Sequence, residues 1–416
     1  MTSDDKRKQY FEEHPEVYKQ YKEIKTINEL PGNSFTEEKL KEIKEYAIEH
    51  TKFYQNYSVD DDFPVMTKLD FINHHNELLS DENFKDELHI SSTSGSTGIP
   101  FKVEQNKEKR DRNIADLKVY GEYAGFKSHE KMIQLRSYGG RDLDRTVDEK
   151  ENIWRYDIFG MTSEKISKFV DFVLEYKPIV IFSYVGALVS ICDDILASKK
   201  EYDFGVKSIL VGAEALTEEA YQKIFNVFKC PVYDRYSNME MGIYAQREYG
   251  KTAFRINKAS YYFECLKLDS DEKVAEGELG RIVFTDLANH AFPMIRYDTG
   301  DLGTYKVVND EVYIDVVYGR RLDQIYNSKG EIVNPHDISR MLQGIKGIAQ
   351  WQLIQNDLEV FTFKYVVDGE SVDMEDILFR LKSILGTSVK FDMEEKKEIP
   401  VLGSQKRKAI VNEMNK

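Results

Sequence analysis

From about residue 130 the sequence alternates strand-like and helix-like runs, and this alternation constrains the fold more than any other feature. "KMIQLRSY" reads as a strand, and "SEKISKFVDFVLEY" as a helix with Ile166, Phe169, Val170, Val173 and Leu174 on one face. A strand "PIVIFSY", a helix around 186–198, a strand "KSILVGA", a helix "TEEAYQKIFNVF" and a strand "CPVYDRY" continue the rhythm. Thr217 is placed to cap the last of these helices, and Glu218 and Glu219 suit the positive end of its dipole. Strands separated by whole helices pair through crossovers, so the pattern predicts a mostly parallel sheet covered by helices. Ligands gather at the carboxyl ends of strands in such sheets, and both "VGAE" and "YSNME" fall at such ends.

The flanking segments read differently. The first 60 residues have the pattern of charged helices, with Leu40, Ile43 and Ala47 of "EEKLKEIKEYAIEH" on one stripe. After residue 255, "YYFECLKL", "GRIVFTDL", "GTYKVV" and "EVYIDVVY" lose their intervening helices and look antiparallel. Residues 322–416 mix helices and strands. The expected class is therefore α/β. A large N-terminal domain, 1–321, carries mostly parallel helix-covered sheets and a β-rich subdomain over about 255–321, and a small α+β C-terminal domain spans 322–416. A chain of 416 residues is long for a single core, in keeping with that division.

Composition removes several classes of function. A net charge of −15 disfavours general nucleic-acid binding, which needs concentrated positive surface. No apolar run reaches the roughly 18 residues of a membrane span. The stretch "MTSDDKRKQYFEEHPEVY" lacks the apolar core of a signal peptide. Cys192, Cys230 and Cys265 are widely spaced and form no CxxC pair, and no HExxH occurs. A cytoplasmic protein without a structural metal is the expectation.

The run "SSTSGSTGIPF", residues 91–101, has the composition of a phosphate-binding loop or of an ordinary polar turn. It contains no Walker lysine, and the chain has no GxGxxG or GxSxG. After it come "VGAEAL", "YDRYSNMEMG", "FPMIRYDTGD", "YGRRLDQIYNSKGEIVNP" and "GSQKRKAIV", in that order. This succession, with the lead-in "FPVMTKLDFINHHNELL", resembles the adenylate-forming superfamily of acyl-CoA ligases and adenylation enzymes. Within it the chain is most similar to the phenylacetate–CoA ligase group and its capsule-biosynthesis branch, over about residues 63–411.

The resemblance implies roles residue by residue. Thr93, Ser94, Gly95, Ser96, Thr97 and Gly98 would form the pyrophosphate loop, and Glu240 would coordinate Mg²⁺. Ala213, Glu214, Arg235 and Tyr236 match segments around adenine, with Tyr236 offering a stacking face. Asp301 would accept both ribose hydroxyls, and Arg320 would approach ribose or phosphate. Asp323 matches an interdomain hinge, and Lys406 a lysine that a mobile lid swings into the site, with Lys408 as its alternative. Met239 stands where a threonine usually holds the α-phosphate; Ser237 replaces the usual glycine, and Asn238 is the residue that could donate instead. Tyr138, Ser183, Tyr184 and Gly186, near strand ends, are the candidate acid pocket, suited to a flat or aromatic acid.

The function this implies is ATP- and Mg²⁺-dependent activation of a small carboxylic acid as acyl-AMP, then acyl transfer with CoA as the expected acceptor. An amine, a sugar or a carrier protein is the alternative acceptor, and a homodimer stays open. Two other readings remain: a nucleotide-binding homologue without turnover, motivated by Met239 and the irregular lysine motif, and a phosphotransferase, which the absent Walker lysine disfavours.

Overall fold

The computed structural model describes the chain apart from residues 83, 85–87, 94–100, 137, 139–142, 159–161, 321–324, 334–337, 339–340, 343–344, 368, 370, 400–408 and 415–416, and apart from the side chains of 93, 320 and 332. Helices α1 (Ser3–Glu13), α2 (Pro15–Glu29) and α3 (Ser34–His50) open the chain, followed by the short α4 (Lys68–Asn73) and α5 (His75–Leu78). A hairpin of β1 (His89–Thr93) and β2 (Phe101–Gln105) leads into α6 (Lys107–Tyr123). The alternating region is β3 (Met132–Arg136), α7 (Arg145–Glu151), β4 (Ile153–Asp157), α8 (Ser163–Tyr176), β5 (Val180–Ser183), α9 (Val185–Ser198), β6 (Ser208–Gly212), α10 (Glu218–Phe228) and β7 (Val232–Ser237).

These elements form for the reasons the pattern carries. Ile166, Phe169, Val170 and Val173 of α8 are buried. Thr217 accepts from the Ala220 amide and starts α10. Lys177, Lys199 and Lys229 close α8, α9 and α10 in left-handed conformations. Their apolar faces pack with Ile133, Leu135, Ile181, Ile209, Val211 and Val232 into one core. Met132, Val180 and Leu210, alternate residues of the same strands, face the other way onto Ala124 and Phe126 after α6.

The strands after β7 extend the same sheet. They are β8 (Ile243–Arg247), β9 (Phe254–Ile256), β10 (Tyr261–Leu266), β11 (Gly280–Asp286), β12 (Tyr297–Val308) and β13 (Glu311–Arg320). They are antiparallel as expected, yet they do not make a sheet of their own. β7 pairs β8 antiparallel, and one 11-stranded sheet runs β10-β11-β12-β13-β9-β8-β7-β6-β5-β3-β4. A second core under this half joins Phe63, Phe71 and Phe101 to Tyr244, Phe284 and Tyr297.

Beyond residue 324 lie β14 (Ile325–Tyr326), β15 (Ile332–Val333), β16 (Ile348–Asp357), β17 (Val360–Val367), α11 (Met374–Leu385), β18 (Lys390–Glu395) and β19 (Ile410–Asn412). Four of these strands form a separate sheet, β18-β17-β16-β19, whose core of Leu353, Phe361, Phe363, Ile377 and Leu381 draws only on residues of this segment. Among the described residues no helix is long and apolar enough to cross a membrane.

Candidate active site

The switch from parallel to antiparallel pairing falls between β7 and β8, and the connection there is "NMEMG". Asn238 holds this turn together: its amide donates to the Gly242 carbonyl at 3.0 Å, its Oδ1 accepts from the Met241 amide at 2.9 Å, and its Nδ2 donates to Tyr244 Oη at 2.8 Å. One N–H of the side-chain amide is thereby engaged inside the protein and its oxygen is held by the turn. Met239 is exposed, and its carbonyl accepts from Ser91 Oγ at 2.6 Å, tying β1 to the turn. Gly242 is obligatory: its φ is +126°, and a Cβ would meet Asn113 Oδ1 and Tyr261 Oη at 2.8 Å each.

Glu240 sits in this turn, not at a helix start, and is 7% exposed. Gln105 Nε2 fixes its backbone by donating to its carbonyl at 3.1 Å. Lys68 Nζ approaches its Oε1 at 3.7 Å and lies 5.5 Å from the Phe101 ring centroid. Lys68 follows the Thr67 that caps α4, in the lead-in "FPVMTKLD", and sequence reasoning gave it no role of its own. A buried carboxylate engaged by one ammonium at ion-pair distance is chemically suited to a hard cation. Among the described residues no group of three or more His, Cys, Asp and Glu side chains could hold a metal alone. A Mg²⁺ at Glu240 would therefore draw its other ligands from phosphate and water.

Asp301 is carried by a break in the β11–β12 ladder. Pairing jumps from Arg281↔Leu302 to Val283↔Asp298, so Thr299, Gly300 and Asp301 bulge outward opposite Ile282. Gly300 takes φ +78°, and Thr299 Oγ1 donates to the Ile282 carbonyl at 2.9 Å. Tyr236 Oη donates to Asp301 Oδ2 at 2.7 Å and reaches Thr299 Oγ1 at 3.3 Å. The Tyr236 ring is half-buried, 5.4 Å from Tyr244 and 6.4 Å from Phe284, so it serves the core and the site together. Arg320 lies directly across from Asp301 in the β12–β13 register.

On the parallel side, Ala213 has φ +65° and turns the chain sharply off the end of β6. Glu214 Oε2 accepts from the Gly186 amide at 2.6 Å, capping the first turn of α9 with a carboxylate. Tyr184 is the residue before α9. Ser183 ends β5 and is 2% exposed, on the strand face that carries Ile181, and Tyr184 after it packs against the same core. Tyr138 donates from its amide to Asp157 Oδ1 at 2.8 Å and from its hydroxyl to Gln134 Oε1 at 3.0 Å; burial pushes that phenol up from its usual range. Arg235 is 6% exposed and leaves β7 on the face opposite Tyr236, with its Nε donating to Gln246 Oε1 at 3.1 Å. Ser237 ends β7 beside the ladder irregularity. Thr93 pairs with Phe101 through its backbone. Ser94, Gly95, Ser96, Thr97, Gly98, Asp323, Lys406 and Lys408 lie outside the described residues.

Known proteins resemble both parts of this arrangement. Residues 325–413 match the model of the CapK C-terminal domain. The structure superposes on a 2-hydroxyisobutyryl-CoA ligase, solved in the postadenylation state with an acyl-AMP, with a TM-score of 0.71 at 15% identity over 91% of this chain and 89% of that one. The chain carries the adenylate-forming ligase fold. Two phenylacetate-coenzyme A ligases are similar in sequence. The protein from Pseudomonas putida is 23% identical over 63% of this chain and 61% of its own length, which is under two-thirds of that relative. The protein from Thermus thermophilus is 24% identical over 78% of each chain. In this fold Tyr236 and Asp301 meet at the end of β7 and Glu240 lies in the turn that follows, while the CapK-type segment supplies the separate β16–β19 sheet.

Proposed function

We propose that the protein is an AMP-forming acid–CoA ligase, activating a small carboxylic acid with ATP and passing the acyl group to CoA. The observation that carries this is the Tyr236–Asp301 hydrogen bond of 2.7 Å at the sheet end where Glu240 is buried. A carboxylate held by a phenol on one oxygen keeps acceptor capacity for the two hydroxyls of a ribose. The acid's own oxide is a poor leaving group, so attack on the α-phosphorus, with pyrophosphate departing, creates an acyl donor from which AMP can leave. Glu240 would hold Mg²⁺, which screens the polyphosphate charge when bound.

The remaining assignments belong to the same proposal. Residues 93–98 hold pyrophosphate through amides and hydroxyls. Ala213, Glu214 and Tyr236 border the adenine, and Arg320 approaches the phosphate. Residues 322–416 act as a lid turning about Asp323, with Lys406 delivering positive charge for adenylation and withdrawing before acyl transfer. The test is exchange of labelled pyrophosphate into ATP across a panel of acids. Exchange that depends on both the acid and Mg²⁺ is expected; nucleotide binding without exchange for any acid would favour a non-catalytic homologue.

A further inference from the structure

We infer that Arg136 and Arg235 form a cationic subsite that selects an acid bearing a second anionic group, a dicarboxylate or a phosphorylated acid. This rests on the adenylating reading for the identity of the ligand, and it replaces the flat aromatic acid that the tyrosines alone suggest. The two guanidinium groups converge on one ring: Arg136, at the end of β3, lies 5.1 Å from the Phe182 centroid, and Arg235, on β7, lies 5.8 Å from it. Phe182 belongs to β5, between them in the sheet. Gly212 on β6 keeps this floor low, since a Cβ there would sit 3.7 Å from Phe182 and 3.8 Å from the Arg235 Cβ.

The two cations repel each other beside the apolar ring, and the buried Asp116 offsets this at Arg235 only from beyond ion-pair distance. Arg235 is buried, and its Nε donates to the neutral Gln246. No carboxylate among the described residues forms an ion pair with either guanidinium, although Arg145 and Arg155, farther along the same region, both pair with Asp148. Burial, and secondarily the Arg136 charge, pull Arg235 down to about 10. Burying a charge without a counterion is costly, and a bound anion would relieve that cost.

The position separates this anion from the nucleotide. Arg235 and Tyr236 project to opposite faces of β7, so the Tyr236–Asp301 corner and the arginine pair lie on different sides of the strand. Arg136, Phe182 and Arg235 share the face that carries Gln134, whose Oε1 holds the Tyr138 hydroxyl at 3.0 Å. The arginines thus stand on the acid side. A planar guanidinium matches a carboxylate or phosphate with two parallel bonds, and its flat face rests on Phe182.

The test is calorimetry on the full chain with glutarate, 3-phosphoglycerate and butyrate, each titrated with and without saturating AMP. At least one dianion should bind about tenfold or more tighter than butyrate, as a charge-assisted hydrogen bond would supply. Arg136→Met should weaken the dianion by about tenfold or more, and Arg136→Lys should restore part of it. Circular dichroism melting of each variant controls for folding. Whichever dianion binds tighter identifies the second group as carboxylate or phosphate. Butyrate binding as well as both dianions, no dianion binding, or dianion affinity indifferent to Arg136→Met would each overturn the subsite. A failure of AMP itself to bind would instead count against the adenylating reading, because the dianion titrations without nucleotide read the subsite separately.

Discussion

The parallel and antiparallel halves of the central sheet present their candidate residues in opposite ways. In the parallel half the residues come where strands stop: Ala213 and Glu214 after β6, Tyr184 after β5, Glu240 in the turn after β7. The ladder itself is left intact, and the chemistry hangs on loops. In the antiparallel half Asp301 lies inside the 12-residue strand β12, reached only because the ladder breaks opposite Ile282. A parallel sheet offers a row of carboxyl ends on one edge, whereas an antiparallel one must bulge to free a side chain. The Tyr236–Asp301 bond ties the two solutions together across the seam.

The sharpest way to break this comparison is Glu240→Gln, which keeps the turn-holding backbone bond from Gln105 and removes the charge. Acid-dependent pyrophosphate exchange should fall about 10²–10³-fold, the scale of losing one preorganised electrostatic stabiliser, with the Mg²⁺ requirement rising. A loss of only a few-fold would remove Glu240 from the metal. Asp301→Asn should cost less, about 10–100-fold in KM for ATP with a smaller effect on kcat, because one acceptor of the ribose becomes a donor. An equal fall in kcat with KM unchanged would place Asp301 at the reacting phosphate.

Two glycines sharpen the contrast on the stability axis. Gly242, in the seam, combines φ +126° with contacts of 2.8 Å to a would-be Cβ, and Gly242→Ala should destabilise by about 1–3 kcal/mol in chemical denaturation. Gly212, at the end of β6, lacks a left-handed φ and its tightest contact is 3.1 Å, to the Arg235 carbonyl, so Gly212→Ala should cost less. The reverse order would mean that the seam tolerates more adjustment than the strand end.

The two halves also differed in how far they were legible. α8 and α10 were readable because their buried residues repeat at helical spacing and Thr217 caps locally. The single sheet was not, because the pairings that make it, β7 with β8 and β9 with β13, join segments with no local signature. Glu240, Tyr236 and Asp301 were picked out through ordered motifs, and the structure joins Tyr236 to Asp301 by a hydrogen bond. The use of Asn238 as a turn staple was hidden, since an amide donor looks the same in sequence whether it faces ligand or backbone. The burial of Ser183 was not legible, since at a strand end only the pleat decides which face a side chain takes. Arg136 passed unnoticed and Lys68 was quoted only within a lead-in motif, because their meaning depends on what lies beside them in space.

The smallest expected effect concerns Asp234, which shows that not every carboxylate near the seam serves a ligand. It lies two residues before Tyr236 on β7, and Arg247 of β8 donates to it at 2.5 Å. Burial, opposed by Arg247, pushes this carboxyl up to about 6 from its usual 3.8. The folded chain therefore holds the proton more tightly than the unfolded chain, so this group's contribution is fully present below about 4 and is lost as pH rises through about 6. Asp234→Asn removes that titration. The stability of the original chain relative to the variant, from urea unfolding at a series of pH values, should fall between pH about 4 and about 6 and level off above it. A difference that instead grows with pH would mean that Arg247 outweighs burial, and that the Asp234–Arg247 pair stabilises the seam as an ion pair in its own right.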